Sequence, residues 1–286
     1  MTPFQTWKRR LRTGLPTVLG LNAKGFFIPY RYAADLPPAA ARRGYPASEA
    51  LLDACTPTIE SWLETMESYA DGLLAIGDDA PAPAPRWYQD WFPRLDGAMA
   101  YTMARHHAPR RIVEIGSGHS TRFFARAVKD GALSTRILAI DPAPRAVLDG
   151  LSAVTLDRRT VQAAGLSPFE GLAAGDILAI DSSHILMPGS DVDLLLNTVL
   201  PILPAGVIVH FHDIFLPDAY PAEWDWRGYN EQLGVAALLT GGAWRVLFGS
   251  HHVVTRMSDA VCASVAGRLP LLEGAMESSL WLEKSA

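Results

Sequence analysis

The chain has 286 residues, 49% of them hydrophobic and 19% charged, with a formal net charge of −5; a chain of that length buries a sizeable core, and that balance excludes a largely disordered chain, a collagen-like fibre and a coiled-coil rod. The acidic balance speaks against a dedicated nucleic-acid-binding domain, whose affinity would lean on neutralised phosphates. No run approaches the length of a membrane-spanning helix, and the 2 cysteines, Cys55 and Cys262, form no CxxC pair, so neither a membrane span nor a zinc or disulfide scaffold is expected, and the expected address is the cytoplasm.

Lys8, Arg9, Arg10 and Arg12 precede an apolar run at 15–21, which superficially copies a secretory leader. Pro16 and Gly20 break that run, so it reads as a basic turn on the domain edge. Leu52, Cys55, Ile59, Trp62, Leu63, Met66, Leu73 and Leu74 recur at helical spacing, with Pro57 marking a break between a short helix and a longer one. The stretch DDAPAPAP at 78–85 cannot form a helix. Residues 1–85 are therefore expected to be a helical cap and its linker. Trp87, Trp91 and Phe92 read as a core cluster leading into Pro93, which suits the first turn of a helix that buries Leu95, Met99 and Met103.

From Arg111 the pattern changes to short apolar runs at 112–115, 137–140, 153–156, 177–180 and 207–211, read as buried strands, alternating with helical stretches at 121–129 and 192–203. Segments 244–248 and 252–255 are expected to close the sheet as antiparallel strands. The expected fold is α/β and Rossmann-like, a doubly wound, mostly parallel sheet with its ligand beyond the carboxyl ends of the strands. Its domain spans 86–258, followed by a C-terminal extension at 259–286.

The sharpest motif is VEIGSGHST at 113–121, where a strand gives way to a helix. Gly116 and Gly118 remove side chains where backbone must approach a ligand, and the helix start offers free N–H groups. A dinucleotide loop would carry a third glycine at 121, but Thr121 stands there, which speaks against a pyrophosphate. Glu114 suits a ligand with a cationic amino acid end instead. The next strand ends at Asp141, where a carboxylate can accept both hydroxyls of a ribose.

Together, EIGSGHST and ILAIDPAPR resemble the first two motifs of class I S-adenosylmethionine-dependent methyltransferases. GDILAIDSSH, SDVDLLLNTVLPILPAGVIVHFHDIFLPDAYP and YNEQ extend the resemblance to a bacterial branch of that superfamily, over residues 86–250. The resemblance implies S-adenosylmethionine as cofactor. Glu114, Gly116, Ser117 and Gly118 would meet its methionine end, Ser120 would lie in the same loop, and Asp141 would take the ribose.

A second constellation sets Asp181-Ser182-Ser183-His184 after the fourth strand beside His210-Phe211-His212-Asp213 after the fifth. Carboxylates from neighbouring strand ends can converge on one hard cation. The pattern is similar to metal-dependent catechol-type O-methyltransferases, which implies Asp181 and Asp213 as ligands of Mg²⁺ or another divalent cation and His184 as the base. Ile214 stands where that pattern has Asn, and His212 is the substitute ligand; a metal-free site is the alternative. His184 also has the intrinsic acidity of a base near neutral pH. His210 shares a sheet face with Ile208 and reads as a core histidine, while His106, His107, His251 and His252 receive no role. The aromatic block 215–229 follows the fifth strand on the ligand side, suited to an acceptor pocket or to packing under a long loop.

The leading expectation is methyl transfer to an oxygen of a small molecule, with neither nucleic acid nor membrane as partner and with room for a homodimer. The alternatives are a metal-free N- or C-methyltransferase, a protein that binds the cofactor without turnover, and a nicotinamide-dependent oxidoreductase.

Overall fold

The computed structural model describes residues 7–22 and 24–285. Seven short β-rich segments become strands: β1 (Arg111–Ile115), β2 (Arg136–Ile140), β3 (Val154–Asp157), β4 (Ile177–Ile180), β5 (Ile208–Phe211), β6 (Trp244–Gly249) and β7 (Leu280–Lys284). They form one sheet in the order β3-β2-β1-β4-β5-β7-β6. The first five pair in parallel, and β7 runs antiparallel between β5 and β6. Parallel strands are covered on both faces, which explains why these segments are apolar at nearly every position rather than alternating. In β4 the two faces diverge, with Ile177 and Ala179 joining one core and Leu178 and Ile180 the other.

α1 (Pro46–Ala54) sends Leu52 into the second core, and the first is filled by α2 (Thr56–Glu67), α3 (Ala70–Leu74), α4 (Arg94–His107) and α5 (His119–Asp130). Ile59, Met66, Met99, Met103, Phe123 and Phe124 meet there with Trp281 of β7. The second core packs α6 (Asp191–Leu194), the π-helical turn Leu195–Val199 that prolongs it, and α7 (Glu231–Thr240) against the other face. α8 (Ser250–Arg256) follows β6 directly.

Several boundaries differ from the sequence expectation. The chain divides into two units, one of residues up to Arg42 with Pro221–Gly228, the other Arg43–Tyr220 with Tyr229 onward. The division expected at residue 85 thus lies at Arg42, because the apolar faces of α1, α2 and α3 are core walls of the sheet rather than a separate cap. In the smaller unit the Arg9 guanidinium lies 4.8 Å over the Trp226 ring, and Arg42 pairs with Asp225 at 2.8 Å. Segment 252–255 is helical, within α8. The antiparallel neighbour of β6 comes instead from the expected extension 259–286, whose β7 occupies the ladder on both sides and leaves residues after β6 nothing to pair with. Trp91, expected in the core with Trp87 and Phe92, is 53% exposed.

Candidate functional site

All the expected site residues lie at the carboxyl ends of β1, β2, β4 and β5. Gly116 sits at φ +84, and a Cβ there would stand 1.9 Å from the Asp181 carbonyl oxygen, so the turn after β1 needs glycine both for its conformation and for this close approach. Ser117 Oγ donates to Asp141 Oδ2 at 2.8 Å, tying the loop to the end of β2. The other Asp141 oxygen accepts from the Ala143 backbone N–H, and the carboxylate retains lone pairs for ribose hydroxyls. Gly118 opens α5, and a side chain at that position would meet nothing within 4 Å. A ligand can therefore approach the loop backbone, and the residues fit S-adenosylmethionine at Gly116, Ser117, Gly118 and Asp141.

Glu114 and Ser120 are placed differently from the expectation. Glu114 is 1% exposed, and its two oxygens accept from Ser120 Oγ and Thr121 Oγ1, each at 2.6 Å. Thr121 Oγ1 in turn accepts from the Gly118 N–H at 3.0 Å. Burial pushes the Glu114 carboxyl up to about 8 against the lowering effect of both hydroxyls. Glu114 and Ser120 thus anchor the loop from beneath rather than present charge to a cofactor ammonium. Thr121, which read only as a missing glycine, is the link between anchor and loop.

The second constellation assembles, with a different organisation. His184 Nε2 lies 3.3 Å from Asp181 Oδ1 and 3.4 Å from Asp213 Oδ2, while its Nδ1 lies 2.8 Å from Glu231 Oε2. His212 Nδ1 lies 3.6 Å from Asp181 and 3.5 Å from Asp213, with Nε2 3.3 Å from Asp96 Oδ2. Burial alone would lower both imidazoles, but the carboxylates around them hold both well above the ordinary histidine value. Desolvation would raise Asp181, yet His212 and His184 hold it far below the ordinary carboxylate range. The surrounding carboxylates thus favour the protonated form of both rings. His184 and Asp213 occupy the left-handed region at φ +60 and +57, unusual for residues with side chains and a form of strain that gathers at functional sites.

Two expectations change as a result. Among the described residues no group of three or more His, Cys, Asp and Glu side chains is arranged to hold a metal ion. Asp181, Asp213 and His212 do meet, with His212 Nδ1 3.6 and 3.5 Å from the two carboxylates, but not as a ligand set for the expected cation. His184 is buried with both ring nitrogens engaged, which does not suit a base that must reach an acceptor. Asp181 is the open member, with 35% of its side-chain surface exposed against 4% for His184 and 5% for His212.

Three partners escaped the sequence reading. Asp96, fully buried in α4, accepts from the backbone N–H groups of Ser278 and Ser279; its only sequence signal was a lone carboxylate in an apolar helix. Glu231 read as a favourable helix start, and Ser278 gave no signal, because β7 brings it in from the far end of the chain. The loop after β4 is fixed by Ser183 Oγ and N–H donating to Asp191 of α6, and by the Asn230 and Glu231 N–H groups donating to the His184 carbonyl. His210 is the core histidine expected, buried, with Nε2 2.9 Å from Ser279 Oγ and lowered by burial to about 3. The aromatic block at 215–229 splits: Phe215 is buried and Tyr229 stacks 4.5 Å from His184, whereas Trp224 and Trp226 stand in the smaller unit under Arg227.

Residues 113–214 match the family described as a methyltransferase domain. No curated protein sequence matches the chain. Among solved structures, it is similar to the O-methyltransferase TomG of Streptomyces achromogenes, involved in tomaymycin synthesis, in complex with S-adenosylmethionine, at 14% identity over 84% of this chain and 98% of that one, with a TM-score of 0.42. The methyltransferase PaMTH1 of Podospora anserina, bound to S-adenosylhomocysteine, aligns at 15% identity over 92% and 100% of the two chains with a TM-score of 0.41. The segment that matches a methyltransferase domain runs from within β1 to just past the end of β5, the part of the chain that carries the candidate site.

Proposed function

We propose that the protein transfers a methyl group to an oxygen of a small molecule, with Asp181 as the first acceptor of the displaced proton. The observation that carries this reading is the contact between Gly116 and Asp181. The cofactor loop and the one open carboxylate of the buried cluster are neighbours, and the remaining members lie shut behind that carboxylate.

The cofactor, when bound, supplies a methyl carbon on a sulfonium. Gly116, Ser117 and Gly118 hold the loop against it, and Asp141 accepts ribose hydroxyls. Asp181 accepts a hydrogen bond from the acceptor hydroxyl and so aims its lone pair. As the carbon–oxygen bond forms and the carbon–sulfur bond breaks, that hydroxyl becomes strongly acidic, so even a carboxylate held below its ordinary range can take the proton. A strong base is not required, and proximity carries much of the rate. His184 is a positioning residue: its charge fixes the Asp181 carboxylate, and Glu231 behind it fixes the ring.

The test is formation of S-adenosylhomocysteine from S-adenosylmethionine over a panel of phenolic, enolic and carboxylic acceptors. Asp181→Asn should lower turnover by about 10² to 10⁴, the span of general acid–base catalysis, with S-adenosylhomocysteine binding nearly unchanged. Full turnover in Asp181→Asn would remove that residue from the proton path, and tight NADH binding without response to S-adenosylmethionine would remove the activity.

A further inference from the structure

A cleft of about 490 Å³ opens beside the cofactor loop, lined among others by Arg86, Trp91, Ser117, His119, Arg122 and Arg145. It includes none of Asp181, His184 and Asp213, so it is distinct from the acid–imidazole cluster. It holds three guanidiniums in a chain of net charge −5, with Asp90 as the only carboxylate among its lining residues.

The positive charge is poorly compensated. Arg122 spends Nε and Nη2 on the Val147 carbonyl, at 3.2 and 3.0 Å, and among the described residues no carboxylate pairs with it. Arg145 lies 4.9 Å over the Trp91 ring, again without a paired carboxylate among the described residues. Arg86 reaches Asp79 at 2.9 Å, but that aspartate points into solvent, and Arg86 Nε is shielded from water with no hydrogen-bond partner. His119 Nδ1 is likewise shielded and unpartnered. The groups repel one another: burial, then the charges of Arg122 and Arg86, push His119 down to about 4, and burial and Arg86 lower Arg122. A cleft built this way is completed by an anion.

Its walls say more. Trp91 and Tyr88, both half-exposed, line the cleft, and its volume falls in the range that accommodates a whole small molecule rather than a single carboxylate. Ser117 and Gly118 belong to both the cleft and the cofactor loop, so an occupant lies next to the cofactor. We infer that this cleft binds a planar aromatic acid, its carboxylate held by Arg86 and Arg145 and its ring laid on Trp91. The anion site stands on the cleft itself, independently of the methyltransferase reading.

The experiment uses the full-length protein and calorimetric titration with 3,4-dihydroxybenzoate, with its neutral isostere 3,4-dihydroxybenzamide, and separately with S-adenosylhomocysteine. The acid should bind at least tenfold tighter than the amide, in line with a charge-assisted hydrogen bond. Arg86→Gln and Arg145→Gln, each checked by thermal melting to be folded, should erase most of that preference while leaving S-adenosylhomocysteine affinity within about twofold. Trp91→Ala should weaken acid and amide alike. Equal binding of acid and amide by the parent protein overturns the proposal. So does a tenfold loss of S-adenosylhomocysteine affinity in Arg145→Gln without change in acid preference, which would assign the anion to the carboxylate of the cofactor. Failure of the parent protein to bind S-adenosylhomocysteine, with the acid preference intact, would instead remove the methyltransferase reading and leave an aromatic-acid site.

Discussion

Nδ1 of His184 and Oε2 of Glu231 stand 2.8 Å apart in the interior, although 47 residues separate them in the chain. Both side chains are buried, so neither can turn to water if the other is lost. The pair ties the loop after β4 to the start of α7, and through Nε2 it sets the carboxylates of Asp181 and Asp213.

Removing one side of a buried ion pair leaves an uncompensated charge, at a cost of about 3 to 5 kcal/mol. His184→Ala is expected to lose stability in that range by urea denaturation, and Glu231→Gln to lose less, because the amide can still accept from the ring. A purely structural pair would leave the pH–rate profile of the surviving activity unmoved. We expect Glu231→Gln to shift its alkaline limb to lower pH, since the imidazolium loses one of the carboxylates that hold its proton.

Gly116→Ala should abolish cofactor binding and destabilise the fold. The added Cβ meets backbone, the Asp181 carbonyl at 1.9 Å, and backbone cannot rotate away as a side chain tip can. Gly118→Ala, whose Cβ meets nothing, should be far milder for folding. Comparable melting temperatures for the two variants would show that the turn after β1 is not held as described.

The contribution of Glu114 to stability should fall as pH rises. Glu114 is pushed up to about 8, so from the ordinary carboxylate range to that value the folded protein holds a proton the unfolded chain has released, and each increment of pH favours unfolding. His184 and His212 act in the same direction: raised in the fold, they stabilise fully below the ordinary histidine value and lose that contribution as pH climbs through their folded values. Asp96 and Asp181 work oppositely, their stabilisation present above the ordinary carboxylate value and lost only as pH falls through their lowered folded values. His107, His119, His210, His251 and His252, lowered by burial, work against Glu114, adding stability as pH rises through the ordinary histidine value. Glu114→Gln, which cannot ionise, should flatten the decline between about pH 5 and 8; an unchanged slope would remove Glu114 from it.

Helices α1 to α3 should behave as core. Ile59 and Met66 are fully buried, and Ile59→Ala or Met66→Ala should each cost about 2 to 5 kcal/mol, the range for large-to-small changes in a packed interior. A dispensable cap would show losses well under that, measured by chemical denaturation of the full chain.

The strands and most helices were legible because their signals are local. Ile and Val in runs of four or five between helical stretches have few other solutions, and Gly116, Gly118 and Asp141 mark their own strand ends. Apolar spacing also announced α1, α2 and α4, though not whether they cover a cleft or wall a core, since an amphipathic helix looks the same in either place.

What the sequence by itself determined was the parallel sheet, the loop after β1 and the meeting of Asp181, His184, His212 and Asp213, all set by periodicity and by strand ends that neighbouring strands must share. What only the tertiary structure decided was the charge state and access of those groups. The proton balance of His184 depends on Glu231, that of His212 on Asp96, and Asp96 itself on the N–H groups of Ser278 and Ser279 delivered by β7. These partners come from 47, 116 and 182 positions away. Desolvation and Coulomb attraction depend on distance in space, to which separation along the chain is no guide, and so the open carboxylate beside the cofactor loop emerged only once the sheet was assembled.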